Sequence, residues 1–223
     1  MKRLLASLLA FVGVTGSAQQ QQKVQMVDPK TILFSVPTIS DDIAALERVD
    51  RTPNESDFIF HEDEWSQVEF LPKSQLPEVK RILKELKSFE QAQRVQSGWR
   101  NVYIRKIQRI AVVSGSQPIQ QLEKILGAKM GPAPILSSTS TMTGRVKDGF
   151  TLPLGGNVTL YGFTTEQGIP ILGASVGKNP NDYKLTQAFM KLSSSNGLVL
   201  VDWRAQMLLV SANASGQIDV WKP

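Results

Sequence analysis

The chain has 223 residues, with 25 lysines and arginines, 20 acidic residues, one histidine and no cysteine. The absence of thiols excludes disulfides, a lipid-modified cysteine and thiolate metal sites, and a single histidine leaves catalytic zinc short of nitrogen ligands. A formal net charge of +5 is too small to argue for a nucleic-acid partner.

In chain order, Lys2 and Arg3 precede the apolar residues 4–14, and Gly16, Ser17 and Ala18 follow as small residues. This order predicts a secretory signal peptide over residues 1–18, cut between Ala18 and Gln19. The apolar run is well short of the roughly 20 residues that cross a bilayer, so no membrane span is expected after cleavage. A short cationic signal without any cysteine suits the periplasm of a bacterium, or secretion from it, and export argues further against nucleic acid. Residues 19–30, QQQQKVQMVDPK, are polar and aperiodic and predict a flexible leader.

Residues 31–36 predict a first strand, stopped by Pro37. Asp41 and Asp42 are placed to cap a helical turn over residues 43–49. Residues 57–60 and 65–71 predict two strands of a hairpin joined by the acidic turn His61-Glu62-Asp63-Glu64. Leu76, Val79, Ile82, Leu83, Leu86 and Phe89 recur at helical spacing, with Ser74 as the N-cap and Gly98 where the chain leaves. Residues 100–113 predict a strand with Val102 and Ile104 on one face. A second helix is expected over residues 118–126, capped near Ser116 and stopped by Gly127.

Residues 128–180 carry no helical stripe. Strands are expected at 138–146, 150–154, 157–163 and 168–175, with turns at Gly155-Gly156 and Glu166-Gln167-Gly168. A third helix, over residues 182–194, buries Leu185, Ala188, Phe189 and Leu192 and ends at Asn196-Gly197. Residues 198–201 lack alternation, which predicts a strand covered on both faces. The fold class is therefore α+β, with about three helices interleaved with mainly antiparallel strands. Residues 31–136 and 137–223 are expected as two lobes, with one continuous domain over 31–223 as the alternative.

Four features invite a chemical reading. Gly173-Ala174-Ser175-Val176-Gly177 matches the G-x-S-x-G of serine hydrolases, and Ser175 with Lys178 matches S-x-x-K. Both motifs need a helix near the serine, whereas Lys178, Asn179 and Pro180 follow. A glycine loop is the expected reading, in which Gly173 and Gly177 resist substitution if they adopt positive φ. His61 is the only side chain available as an imidazole base and lies far upstream. The third feature is His61-Glu62-Asp63-Glu64, which lacks the second histidine of a zincin and the spacing of a calcium loop, so no metal or cofactor is expected. With Trp65 as an apolar anchor, Glu62, Asp63 and Glu64 instead suit a protein-binding tip. The fourth is the set Trp65, Trp99, Trp203 and Trp221, expected mainly in packing.

Charge is strongly segregated. Residues 41–70 hold ten acids and two bases, and residues 71–109 hold ten bases and three acids. Part of this charge is expected to pair within the fold, leaving Glu62, Asp63 and Glu64 unpaired. The function expected from these features is non-enzymatic: an exported bacterial envelope protein that binds an envelope or secreted protein of basic or mixed surface charge. The alternatives are a serine hydrolase of cell-wall or ester substrates using Ser175 with Lys178 or His61, and a glycan- or peptidoglycan-binding module using the tryptophans. Oligomeric state has no signal in the sequence.

Overall fold

The computed structural model describes residues 33–223 apart from 43, 139, 140 and 214, and the backbone alone of Asp182. The predicted signal peptide, the leader and Thr31–Ile32 of the first predicted strand lie outside the described residues. No helix among the described residues is long and apolar enough to cross a membrane.

The N-terminal half supplies the short strands β1 (Thr38–Ser40), β2 (Leu46–Glu47), β3 (Ile59–His61), β4 (Val68–Pro72), β5 (Arg94–Val95), β6 (Gly98–Trp99) and β7 (Tyr103–Arg105). Helix α1 (Leu76–Gln93) stands between β4 and β5, and α2 (Pro118–Leu126) follows β7. The remainder holds β8 (Ile135–Ser137), β9 (Met142–Val146), β10 (Gly149–Gly155), β11 (Val158–Thr165) and β12 (Gly168–Val176). Helix α3 (Asp182–Asn196) then leads to β13 (Leu198–Asp202), β14 (Met207–Ala212) and β15 (Ile218–Trp221). This is the α+β class expected from the patterning.

One antiparallel seven-stranded sheet, ordered β10-β11-β12-β4-β13-β14-β15, organises the molecule. Its two faces bury different helices. Phe70, Leu172, Leu198 and Leu200 join Leu122 of α2 and Phe189 and Leu192 of α3 in one core. Leu71, Val199, Val201, Trp203 and Leu208 meet Val79, Ile82 and Leu83 of α1 in another. Residues 198–201 are thus covered on both faces, as their unbroken apolar run predicts.

A four-stranded sheet, β2-β9-β8-β3, packs against the β11–β12 end of the large sheet through Trp65, Leu136, Val146, Tyr161 and Ile171.

Several local expectations are corrected. Pro37 precedes a strand rather than stopping one: β1 begins at Thr38 and pairs in parallel with β7, because the fixed φ of proline fits extended chain. Residues 46–47 form a strand against β9, not a helical turn. β3 and β4 do not pair with each other. β3 runs parallel to β8, and β4 lies between β12 and β13. The acidic stretch between them is a sheet-to-sheet crossing with a 3₁₀ turn at Glu62–Glu64, since Phe60 and Phe70 belong to different cores. Neither Ser74 nor Ser116 caps a helix; Gln75 and Gln117 stand at the N-caps without side-chain bonds. Only residues 103–105 of the predicted 100–113 strand are regular, and Ile104 is 51% exposed while Arg105 and Ile107 are buried.

The exposed side of the α1–β7 contact yields a titration prediction. Tyr103 donates to Glu85 Oε2 at 2.8 Å and meets Phe89 edge-on. Burial, and then the Glu85 hydrogen bond, push the Tyr103 phenol up to about 12. In the unfolded chain the phenol ionises near 10, so the unfolded state binds fewer protons between about 10 and 12. The contribution of Tyr103 to stability is complete below about pH 10 and is lost as pH rises toward 12. An alkaline ultraviolet titration should lose its phase near pH 12 in Tyr103→Phe, and the stability gap between the two proteins should close across that window.

Candidate functional site

A cleft of about 610 Å³ is lined by Val36, His61, Asp63, Glu64, Glu90, Arg94, Trp99 and Arg204, among others. Four elements build it. Residues 35–37 run along it ahead of β1. The 3₁₀ turn supplies Asp63 and Glu64 just after β3. The end of α1 supplies Glu90, with Arg94 directly beyond it. Trp99 comes from the β5–β6 hairpin, which is held to the chain before β1 by reciprocal Phe34–Trp99 backbone bonds of 2.8 and 3.1 Å. Gly98 permits that approach, because a Cβ there would sit 2.5 Å from the Phe34 carbonyl oxygen.

Most charges in the cleft are already partnered. Glu64 accepts from both Nη atoms of Arg204, at 3.0 and 2.7 Å. Glu90 Oε1 accepts from Arg94 at 3.4 Å, and Oε2 accepts from Gln206. The Arg94 guanidinium lies 5.9 Å from the Trp99 ring centroid. His61 Nδ1 accepts from the Asp63 backbone N–H at 3.2 Å, which assigns the proton of the neutral ring to Nε2. The Asp63 carboxylate is 3.4 Å from the same nitrogen. The indole N–H of Trp99 is buried and has no acceptor among the described residues.

Behind the 3₁₀ turn lies a polar network that the sequence reading did not find. Glu69 is fully buried, accepting from Trp203 Nε1 at 2.8 Å and from Arg109 Nη1 at 2.6 Å. Arg109 also donates from Nε to Asp42 at 2.7 Å. Burial opposes the charge on Arg109, but Glu69 and Asp42 outweigh it and raise its pKa. Arg105, also buried, lies over Trp203 at 5.0 Å and donates to Thr38 Oγ1 and to the Ser66 carbonyl. Burial lowers its pKa, with Glu69 opposing. Ser66 takes a positive φ of 54°. Its N–H donates to the Tyr161 hydroxyl at 2.9 Å, and that hydroxyl donates to the Glu64 carbonyl at 3.2 Å. The signal for this network was the two-residue period Arg105, Ile107, Arg109, which puts two arginines on the face of a buried isoleucine.

The structure brings His61, Asp63 and Glu64 into one cleft, with Glu62 exposed beside them. Two parts of the expected binding tip are overturned. Trp65 is only 4% exposed, packed between Phe60 and Tyr161 with its N–H on the Asp42 carbonyl at 3.0 Å, so it cannot anchor a partner. Glu64 is not unpaired, because Arg204 holds both its oxygens. Trp203 is buried and Trp221 lies against Lys80, which leaves Trp99 as the tryptophan of the cleft.

Ser175 is not in a glycine loop. It lies within β12, opposite Thr159 of β11. Neither Gly173 nor Gly177 has a positive φ. Lys178 is exposed in a bend whose carbonyl accepts from Asn157, and α3 starts only at Asp182. Strand, turn and helix are therefore not arranged as a nucleophile elbow, nor does a helix set Lys178 one turn after Ser175. The His61 ring is committed to Asp63 rather than to Ser175. No protein family, curated protein or solved structure matches this chain.

Proposed function

We propose that this is an exported, non-enzymatic protein of the bacterial envelope that binds another envelope or secreted protein of basic or mixed surface charge. The observation that carries the reading is the division of the acidic segment. Asp42, Asp57, Glu64 and Glu69 are bound by arginines of the same chain. Asp57, in particular, is held well below the ordinary carboxylate range by hydrogen bonds from Arg51, Asn54 and Arg145. Asp41, Glu47, Glu55 and Glu62 are exposed and have no ion pair among the described residues. Exposed pairs contribute only about 0–1 kcal/mol each, so internal stability is a weak reason for this much acid. Beside Glu62 the cleft offers a concave, mixed-charge surface, and complementary charge at such a rim chiefly speeds association.

The test is capture from bacterial envelope extract by the full chain, repeated with Glu62→Lys and Asp63→Lys combined. Neither side chain belongs to the arginine-bound set, so the melting temperature should stay within about 2 °C of the parent. Association with the captured protein should slow at least about fivefold, and added salt should slow the parent in the same way. A captured protein that binds the folded double variant at the parental rate, with no response to salt, removes the acidic rim from the function.

A further inference from the structure

We infer that the cleft receives an extended segment of the partner chain carrying a lysine or arginine, with the cation at Asp63 and the segment's backbone carbonyls on the cleft's free donors. This deepens the proposed function and rests on it. The inference comes from which groups of the cleft still have hydrogen-bonding capacity. Both oxygens of Glu64 and both of Glu90 are occupied by Arg204, Arg94 and Gln206. Asp63 is the remaining carboxylate of the lining, with no lysine or arginine paired to it among the described residues, and the nitrogen nearest to it, His61 Nδ1, already accepts a backbone hydrogen bond. With Glu62 exposed next to it, this end of the cleft favours a cation.

Among the nitrogen-bearing side chains of the lining, the spare capacity is in donors. The Trp99 indole N–H has no acceptor among the described residues, although the atom is buried, and an unmet buried donor costs free energy until an acceptor reaches it. His61 Nε2–H is directed away from the Asp63 contact that occupies Nδ1. Arg204 commits one N–H from each Nη to Glu64, and Arg94 makes one long bond, so both guanidinium groups keep further donors. An anionic ligand would answer these donors but meet three carboxylates against two arginines. Peptide carbonyls are uncharged acceptors, every extended segment supplies them in a row, and they add nothing to that imbalance. The cleft volume is that of an ordinary ligand pocket, enough for a few residues and not for a folded element.

The experiment is a nitrogen-15 titration of the full chain, following the Trp99 indole signal, which Trp99→Phe identifies. The probes are acetyl-Ala-Ala-Lys-Ala-Ala-amide, the same peptides with alanine or glutamate in place of lysine, and chitotetraose. The lysine peptide should move the Trp99 signal and bind at least about fivefold more tightly than the alanine peptide, with the glutamate peptide weakest. Asp63→Asn should bring the lysine peptide down to the alanine value and leave the alanine peptide unchanged. That substitution keeps the fold, because both local bonds of residue 63, to His61 Nδ1 and from Gln67, use its backbone. Equal binding of all three peptides overturns the inference and leaves the protein-binding reading standing. A Trp99 signal that no probe moves also overturns it. A shift by chitotetraose with none by any peptide overturns both and turns the cleft toward glycans.

Discussion

Glu69→Ala is expected to cost about 3–5 kcal/mol of folding stability, the range for removing one partner from a buried ion pair. Glu69 is fully buried, and its two oxygens serve two different donors, Arg109 Nη1 at 2.6 Å and Trp203 Nε1 at 2.8 Å. Alanine leaves both donors unmet and takes away the charge that offsets the burial of Arg105 and Arg109. Glutamine does not rescue it, since an amide offers one acceptor and one donor where two acceptors are needed. The control is Asp42→Asn. It removes a carboxylate from the same Arg109 guanidinium, but one whose side chain is 38% exposed, so solvent replaces it and the loss should be about 1 kcal/mol or less. Urea unfolding followed by tryptophan fluorescence reads both variants. If Glu69→Ala unfolds at the same urea concentration as Asp42→Asn, the network is not the anchor that its burial implies. Because Arg105 also holds the Ser66 carbonyl, loosening this network should loosen the turn that carries Asp63 and Glu64.

What was legible in the sequence was whatever depends on near neighbours. The stripe Val79, Ile82, Leu83, Leu86 forms the buried face of α1, and Leu185, Ala188, Phe189 and Leu192 face the sheet from α3. Strands β10 to β12 follow from alternation punctuated by Gly155-Gly156 and Gly168. Partner choice was not legible. Nothing local to residues 57–71 says that β3 pairs with β8 while β4 pairs with β12 and β13, because the deciding contacts are remote in sequence. Trp65 misled for a related reason. Its acidic neighbours suggest a solvated tip, yet Tyr161, remote in sequence, closes over it opposite the nearby Phe60. By hydropathy alone, Val102 and Ile104 outrank arginine for the buried face of residues 102–109. Glu69 and Trp203 reverse that order by giving Arg105 and Arg109 partners inside. For the site, the sequence identified the acidic turn, whereas Glu90, Arg94 and Arg204 reach it only through the fold.

Gly173→Ala is expected to destabilise the protein by about 2–3 kcal/mol, at the upper end of the usual cost of overpacking, and Gly173→Val by more. The reason is not backbone conformation. Gly173 stands directly opposite Tyr161 in the β11–β12 pairing, and the Tyr161 ring lies across it. A Cβ at position 173 would fall 2.4 Å from Tyr161 Cζ and 2.7 Å from its hydroxyl oxygen. The ring cannot step aside. It is fully buried, packs against Phe60 and Trp65, and its hydroxyl is engaged by the Ser66 N–H and the Glu64 carbonyl. Displacing it moves the turn that supplies Asp63 and Glu64, so Gly173→Ala should weaken partner binding as well as folding. Ser175→Ala, two residues along the same strand, should stay within about 0.5 kcal/mol of the parent, which separates the glycine from the serine of the motif. A double-mutant cycle isolates the contact: Gly173→Ala combined with Tyr161→Leu should cost clearly less than the two single changes added together, because the leucine vacates the space the new methyl needs. Additive losses, or a Gly173→Ala protein that melts with the parent, would mean that the glycine is not there to make room for Tyr161.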